Sequence, residues 1–243
     1  WCVPKYSNPT GTTYSNEVVE RIAALGKIAG PNFRVMWDNA YSVHDLTENP
    51  PQLENVMNFC RKYGTEDNLI LTTSTSKITF AGSGISFLGA SKKNLEHFRK
   101  RLSKMSIGPN KLNQKRHTLF LKNYEGIKNH MLKHAEILYP KFNLVEMHLE
   151  NGLGGKDIGK WSKPKGGYFV SFDSLNGLAS EIVRLANEVG LKLTPAGSTF
   201  PYGIDPDNKN IRLAPTFPCL DDLDLAMQIF VNCVQLASVR NSN

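Results

Sequence analysis

Apolar residues in the first hundred positions follow two patterns, helical spacing and short unbroken runs. Val18, Ile22 and Leu25 recur at the spacing of one helix face, and Ser15 stands where it can cap that helix. By the same two patterns, further helices are predicted at 52–62 and 93–105, and strands at 33–37, 68–73 and 87–90. Strands that alternate with helices and are almost continuously apolar are typical of a parallel sheet covered on both faces. We therefore predict an α/β region with a mostly parallel sheet covered by helices.

The pattern changes near residue 123, beyond which helices and strands are segregated. Helices are predicted at 125–138, at 178–189 and from Asp221 or Asp222 onward, and strands at 168–172, 192–194 and 211–213. The first of these helices leads to Tyr139-Pro140, and a glycine- and lysine-rich loop is predicted over 151–167. The apolar face of the last helix comprises Leu223, Met227, Phe230, Val231 and Val234. We therefore expect residues 1–122 to form part of a large α/β domain and residues 123–243 to form a small α+β domain.

Composition narrows the class of protein further. The chain has 243 residues, of which 40% are hydrophobic and 21% charged, as in ordinary globular proteins. It contains neither a membrane-length apolar run of ~20 residues nor a secretory signal, and its four scattered cysteines favour a reduced, cytoplasmic protein. The net charge is +7, but the basic residues at 92–115 spread around a helix face, so we expect no nucleic-acid partner.

Short motifs follow the predicted strands, and each has an ordinary structural explanation when it is taken singly. Asn8-Pro9-Thr10-Gly11 has the residue types of a β-turn, and Asp38-Asn39-Ala40-Tyr41 has those of an Asx turn. Ser74-Thr75-Ser76-Lys77 has those of a polar loop. Ligands bind outside the carboxyl ends of the strands in α/β sheets, and the last two motifs stand directly after predicted strands. This position indicates a binding site.

Taken in order, these motifs resemble those of class I aminotransferases, within the fold-type-I family of pyridoxal-phosphate-dependent enzymes. Gly-Gly-Tyr-Phe at 166–169 and Ile-Arg-Leu at 211–213 fit the same pattern, so the resemblance covers nearly the whole chain. The stretch 75–82 is most similar to a bacterial aspartate-aminotransferase-like branch. The resemblance implies pyridoxal 5'-phosphate as cofactor and a homodimer. It also implies an amino acid, with aspartate as one candidate, and a 2-oxo acid as substrates, and it makes residues 1–122 the C-terminal half of the cofactor-binding domain.

The resemblance implies catalytic roles for Lys77, Asp38 and Tyr41. Lys77 would form the Schiff base with the cofactor and then move the substrate's Cα proton, because only a primary amine gives an imine that a substrate can displace. Asp38 would pair with the pyridine nitrogen and keep it protonated. Tyr41 would donate a hydrogen bond to the ring oxygen.

Other matching residues would bind the cofactor and the substrate. Asn8 would contact the ring oxygen and the substrate, Ser74 would contact the phosphate, and Arg212 would hold the substrate α-carboxylate in a bidentate fork. The sequence departs from the family at one position, since Ile85 stands where the family has a phosphate-binding arginine. Ser83 is a candidate substitute for that arginine.

Three further features have ordinary interpretations that we favour. His130 and His134 have a spacing compatible with a metal ion, but no third ligand is near in sequence, so we expect helix-surface histidines and no metal site. Gly82-x-Gly84 lacks the third glycine of a dinucleotide fingerprint. Residues 108–116 are expected to be a solvated loop and helix start, with a contact to a substrate's side-chain carboxylate as the alternative.

Transamination is the favoured function, and three alternatives stay open. A lyase uses the same cofactor residues, a transcription regulator can carry an aminotransferase-like domain as its ligand sensor, and the chain can be a catalytically dead product. The chain opens on Trp1 rather than methionine, and the family's glycine-rich phosphate loop and stacking aromatic would precede it. We therefore expect it to be the C-terminal two-thirds, roughly, of an aminotransferase and inactive alone.

Overall fold

The computed structural model describes residues 1–241 and divides the chain into compact units. The first unit comprises Trp1–Lys5, Thr13–His44 and Pro51–Leu132. The second unit comprises Tyr6–Thr12, Asp45–Pro50 and Lys133–Asn243. Two short segments from the N-terminal part of the chain therefore belong to the second unit.

The sheet of the first unit is mixed. Its strands are β1 (Val35–Asp38), β2 (Leu69–Ser74) and β3 (Ser86–Ala90), in that order. β1 and β2 are parallel, whereas β2 and β3 are antiparallel. The mostly parallel sheet that the sequence predicts is therefore parallel on one side of β2 only. The reason is the connection from β2 to β3, residues 75–85, which forms turns and bends instead of the crossover helix that a parallel pair requires.

The helices of the first unit begin at side-chain caps. They are α1 (Asn16–Ala24), α2 (Val56–Tyr63), α3 (Lys92–Met105) and α4 (Lys111–Leu121). Ser15 accepts a hydrogen bond from the Val18 amide, as the sequence predicts. The buried face of α1 consists of Val19 and Ala23, while Val18 and Leu25 are 36% and 39% exposed. The predicted face is therefore rotated by one residue.

Strands and helices of the first unit share an apolar core. Its buried members are Val19, Ala23, Val35, Trp37, Val56, Cys60 and Leu69. α2 begins four residues later than predicted, because Asn55 caps it by accepting from the Met57 amide. The strand predicted at 87–90 is confirmed by β3, but it is not covered on both faces as expected, since Phe87 is 53% exposed.

A long helix, α5, runs from Tyr124 to Leu153 and passes through Pro140. The predicted end at Tyr139-Pro140 is therefore wrong. Proline in a helix interior costs about 3 kcal/mol. Phe142, Val145 and Leu149, which follow it, are buried in the second unit's core, and each contributes roughly 1.5–3 kcal/mol. Burial therefore outweighs the cost of the proline.

The second unit pairs an antiparallel sheet with helices. The strands are β4 (Gly159–Trp161), β5 (Val170–Ser174) and β6 (Asn210–Leu213), and the helices after α5 are α6 (Ala179–Glu188) and α7 (Leu220–Asn241). β4 lies inside the predicted loop, and 192–194 are described as irregular rather than as a strand. The predicted apolar face of α7 is buried in full. The rings of Phe172 and Phe230 meet edge to face in the core of the second unit, with 5.1 Å between their centroids.

Within residues 1–241, no helix has the length and apolar character needed to cross a membrane.

Candidate functional site

The carboxyl ends of two parallel strands meet in the first unit. β1 ends at Asp38, which pairs in register with Thr72, and β2 continues from there to Ser74. Beyond the strand ends, the Asn39 amide donates to the Thr72 carbonyl at 2.8 Å, and the Thr73 hydroxyl donates to the Asn39 carbonyl at 3.2 Å. The polar residues that follow the two strands are therefore held next to each other.

The turn after β1 orients an aspartate and a tyrosine. Asp38 Oδ1 accepts from the Ala40 amide at 3.1 Å, which forms the Asx turn that the sequence indicates. Tyr41 is buried, and its carbonyl accepts from the His44 amide at 3.1 Å. The rings of Tyr41 and His44 meet edge to face at 5.8 Å. The position of the Tyr41 ring is therefore set by contacts on both backbone and side chain.

Lys77 is exposed, and its Nζ atom lies 5.3 Å from the centre of the Tyr41 ring, within cation–π range. In the same turn, Ser74 Oγ accepts from the Ser76 amide at 3.0 Å and donates to Ser76 Oγ at 2.9 Å. The first unit thus brings Lys77, Tyr41, Ser74 and Asp38 to the ends of β1 and β2.

The turn around Ile85 contains no guanidinium group. The Ile85 amide donates to Thr75 Oγ1, and the Thr75 amide donates to the Ile85 carbonyl, both at 2.9 Å. A Cβ atom on Gly84 would lie 2.5 Å from Ser76 Oγ and 2.8 Å from its Cα, so the two backbone segments approach too closely for any side chain there. Ser83, the predicted substitute for arginine, is half-buried beside Gly84.

A second set of predicted residues meets in the second unit. Arg212, on β6, donates from Nη1 to Asn8 Oδ1 at 3.1 Å. Its guanidinium carbon lies 4.8 Å from the centre of the Phe169 ring. Nε of Arg212 is buried and makes no hydrogen bond within the part of the chain that the structure describes. A planar cation with spare donors is suited to binding a carboxylate.

The loop that carries Asn8 is held by contacts with residues outside the motifs, among them Pro164 and Asp45. Gly11 has φ of 68°, and a Cβ there would lie 2.5 Å from Cβ of Pro164. The buried Tyr6 hydroxyl donates to Asp45 Oδ1 at 2.5 Å. Burial, and then this bond to a carboxylate, raise the pKa of Tyr6 well above its ordinary value. No sequence signal indicates this pair, because 39 positions separate its members.

The remaining candidates have structural contacts. Nε2 of His130 lies 2.7 Å from the carbonyl oxygen of Ile78. No group of three or more histidine, cysteine, aspartate or glutamate side chains suited to a metal ion occurs among the described residues. Residues 108–110 precede α4, which Asn110 caps by accepting from the Asn113 amide at 3.0 Å.

Comparisons with known proteins give a match at the level of a family. A model of the family described as Aspartate amino-transferase matches residues 1–243. A curated relative from Mycolicibacterium smegmatis, provisionally named an aminotransferase, is 48% identical over 238 residues, which cover 98% of this chain and 55% of that protein. The chain spans about half the length of the curated relatives it matches.

Solved structures share the fold. The crystal structure of an aspartate transaminase from Corynebacterium glutamicum has a TM-score of 0.97 and 42% identity, and the match covers 100% of this chain and 57% of that chain. LysN, an alpha-aminoadipate aminotransferase from Thermus thermophilus complexed with N-(5'-phosphopyridoxyl)-L-leucine, has a TM-score of 0.79 and 20% identity over 98% of this chain and 58% of that chain. These matches confirm the predicted α/β fold class.

Proposed function

This chain belongs to the aspartate amino-transferase family, and we propose that it contributes to a pyridoxal-phosphate-dependent transamination between an amino acid and a 2-oxo acid. The observation that carries the proposal is the meeting of Asp38, Tyr41, Ser74 and Lys77 at the ends of β1 and β2. Aspartate is the first amino acid to test, because the Corynebacterium glutamicum relative is named for it.

The chemistry of these side chains fits pyridoxal phosphate. Lys77 offers a primary amine for the cofactor's carbonyl group, Asp38 offers a carboxylate for the pyridine nitrogen, and Ser74 offers a hydroxyl for the phosphate. The close approach of Gly84 to Ser76 keeps the turn free of a side chain that would fill it. When bound, pyridoxal phosphate supplies the electron sink that stabilises negative charge at the substrate Cα.

The chain's own residues would bind, orient and move a proton. The Lys77 amine, held at 5.3 Å from the Tyr41 ring, is the group that would move the proton at the substrate Cα. The Asp38 carboxylate would keep a proton on the pyridine nitrogen, and the Tyr41 hydroxyl would donate to the ring oxygen. Arg212 would bind the α-carboxylate through two parallel hydrogen bonds. Asn8, whose Oδ1 accepts from Arg212 Nη1, would contact the substrate and the cofactor ring.

The proposal extends to the organisation of the complete protein. Residues 1–122 would be the C-terminal half of the cofactor-binding domain, and residues 123–243 would be the small domain. The complete enzyme would be a cytoplasmic homodimer. These assignments rest on family membership rather than on any contact in the chain.

Lysine substitution in the complete protein tests the proposal. Lys77→Ala should abolish both the visible absorbance of the bound cofactor and the transfer of amino groups. Lys27→Ala is a matched control, because the Lys27 Nζ also lies over a tyrosine ring, that of Tyr63, at 4.9 Å in the same unit. This variant should keep both properties. A Lys77→Ala protein that still held cofactor in a borohydride-reducible link would contradict the proposal.

Product analysis separates the alternatives. An aminotransferase releases a 2-oxo acid and consumes another, whereas a lyase consumes one amino acid without needing an acceptor. A ligand sensor binds cofactor and amino acid with no catalytic turnover. Turnover that requires the 2-oxo acid acceptor is the result that we expect.

A further inference from the structure

Histidines from separate parts of the first unit contact successive residues of the turn that contains Lys77. One follows β1, one lies in α4, and one lies in the part of α5 that precedes residue 133. The contacts join Nε2 of His44 to the Lys77 carbonyl at 3.3 Å, Nε2 of His130 to the Ile78 carbonyl at 2.7 Å, and Nε2 of His117 to the Thr79 hydroxyl at 2.9 Å. We refer to His44, His117 and His130 as the histidine clamp.

The acceptors determine which nitrogen of each ring carries the proton. A backbone carbonyl oxygen only accepts, so His44 and His130 must each donate from Nε2. His117 donates from Nδ1 to the Asn113 carbonyl at 2.9 Å. The Thr79 hydroxyl has one hydrogen and two acceptors within reach, His117 Nε2 at 2.9 Å and the Thr75 carbonyl at 3.1 Å, so a neutral His117 ring competes with that carbonyl for it. His44 and His130 therefore each donate a hydrogen bond to the backbone of the turn, and His117 contacts the Thr79 side chain.

The amides of the turn itself donate to the Thr75 carbonyl, whereas His44 and His130 donate to carbonyl groups further along the turn. The amides of Ile78 and Thr79 both donate to the Thr75 carbonyl at 2.9 Å. Residues 75–79 form a bend and turn after β2, outside the strand pairs of the sheet that the structure describes. Backbone carbonyls away from water are nearly always paired. Side chains of the histidine clamp pair two of them, those of Lys77 and Ile78.

The residue after the lysine anchors the turn. Ile78 is buried in an apolar cluster with Leu121 of α4 and Met131 of α5. The rings of Phe120 and His130 meet edge to face at 5.1 Å, which joins the same two helices beside the turn. The backbone at Lys77 is therefore anchored by the burial of the next residue, Ile78.

We propose that the histidine clamp positions Lys77. By holding the backbone at residues 77–79, the clamp keeps the Lys77 Nζ atom beside the Tyr41 ring at the strand ends. A nucleophile whose backbone is fixed in advance loses less freedom when it reacts. The inference rests on the proposed function, since it concerns the lysine that would hold pyridoxal phosphate. The three histidines are positioning residues, because they act through the turn.

Substitutions of His130 in the complete protein test the proposal. His130→Phe keeps a ring but removes the donor, whereas His130→Gln retains an N–H at a similar distance from the backbone. The first readout is the rate at which the apoprotein captures pyridoxal phosphate at Lys77, followed by absorbance. The second is amide hydrogen exchange of residues 78 and 79 in the apoprotein. In His130→Phe we expect capture to slow, and exchange to rise, by about three- to tenfold, the effect of losing one neutral hydrogen bond.

The conservative variant and a control separate positioning from folding. His130→Gln should restore both readouts to within about twofold of the native protein, since it restores the donor. His97→Phe should change neither, because His97 is exposed on α3 and pairs with Arg101. If His130→Phe fails to fold, His44→Phe replaces it. This variant keeps a ring but removes the Nε2 donor to the Lys77 carbonyl, and it should change both readouts in the same direction.

Two results would overturn the inference. One is native capture and exchange rates in His130→Phe or its replacement. The other is an equal slowing in His130→Phe and His130→Gln, which would assign the effect to ring packing rather than to the hydrogen bond. A reducible cofactor link in Lys77→Ala would instead overturn the proposed function, so the two failures are distinguishable.

Discussion

Replacing Arg212 by lysine keeps a positive charge on β6 but removes the planar pair of donors that a carboxylate fork needs. In the native chain, Nη1 donates to Asn8 Oδ1 at 3.1 Å while the guanidinium carbon lies 4.8 Å from the Phe169 ring centre. The flexible lysine ammonium cannot reproduce both contacts and the fork together. We expect Arg212→Lys to lose one charge-assisted hydrogen bond to the substrate α-carboxylate, which is worth about 1.5–3 kcal/mol.

That free energy corresponds to a fall of about 10- to 150-fold in kcat/KM, because 1.36 kcal/mol is tenfold in rate. Steady-state kinetics of the complete enzyme should give the same factor for amino acids with acidic, aromatic and aliphatic side chains, since all carry the α-carboxylate. Cofactor absorbance should be unchanged. Arg184→Lys is the matched control, because Arg184 lies in the same unit and pairs at the surface with Glu181 and Glu188.

Either of two outcomes would refute this reasoning. A loss confined to acidic substrates would mean that Arg212 binds the substrate's side chain. An unchanged kcat/KM in Arg212→Lys would remove the residue from substrate binding altogether.

Three further predictions concern carboxylates and a buried phenol. Asp38→Ala should slow transamination by at least about 10²-fold, since one charge-stabilising interaction is worth roughly 3–4 kcal/mol; stopped-flow kinetics measures this. Tyr6→Phe should lower the free energy of unfolding by about 1–3 kcal/mol in denaturant titrations, because Asp45 loses its buried donor. The hydrogen bond from His148 lowers the pKa of Asp224, so this carboxyl contributes stability above its unfolded pKa and loses it as pH falls through the lowered folded pKa. Asp224→Asn should therefore flatten the decline of stability below about pH 4.

Each of these predictions has a contradicting result. Near-normal turnover in Asp38→Ala would remove the carboxylate from the reaction. An unchanged free energy of unfolding in Tyr6→Phe would mean that the hydrogen bond to Asp45 makes no net contribution to stability. An acid profile of Asp224→Asn that matches the native one would assign acid sensitivity to other groups, and Asp207→Asn is the surface control.

Signals confined to a few neighbouring residues predicted one helix cap and one helix face correctly, although the face of α1 was displaced by one residue and the start of α2 by four. The Ser15 cap and the buried face of α7 follow from side chains within one or two turns of each other. The same reasoning failed at Pro140, because a local penalty of about 3 kcal/mol is smaller than the burial of the residues that follow it. It also failed for β3, whose direction depends on the path of residues 75–85 rather than on its own apolar run.

The order and type of residues were enough to identify the family, and they placed the candidates Asp38 and Lys77 after strand ends, where α/β sheets bind ligands. The residues that contact these groups in the fold could not be predicted from the sequence. Hydrophobic periodicity carries information only about residues three or four positions apart. His130 meets Ile78 across 52 positions, and Arg212 meets Asn8 across 204. Such pairs form only when the chain packs, because buried carbonyls and charged groups take whichever donors the fold brings within reach.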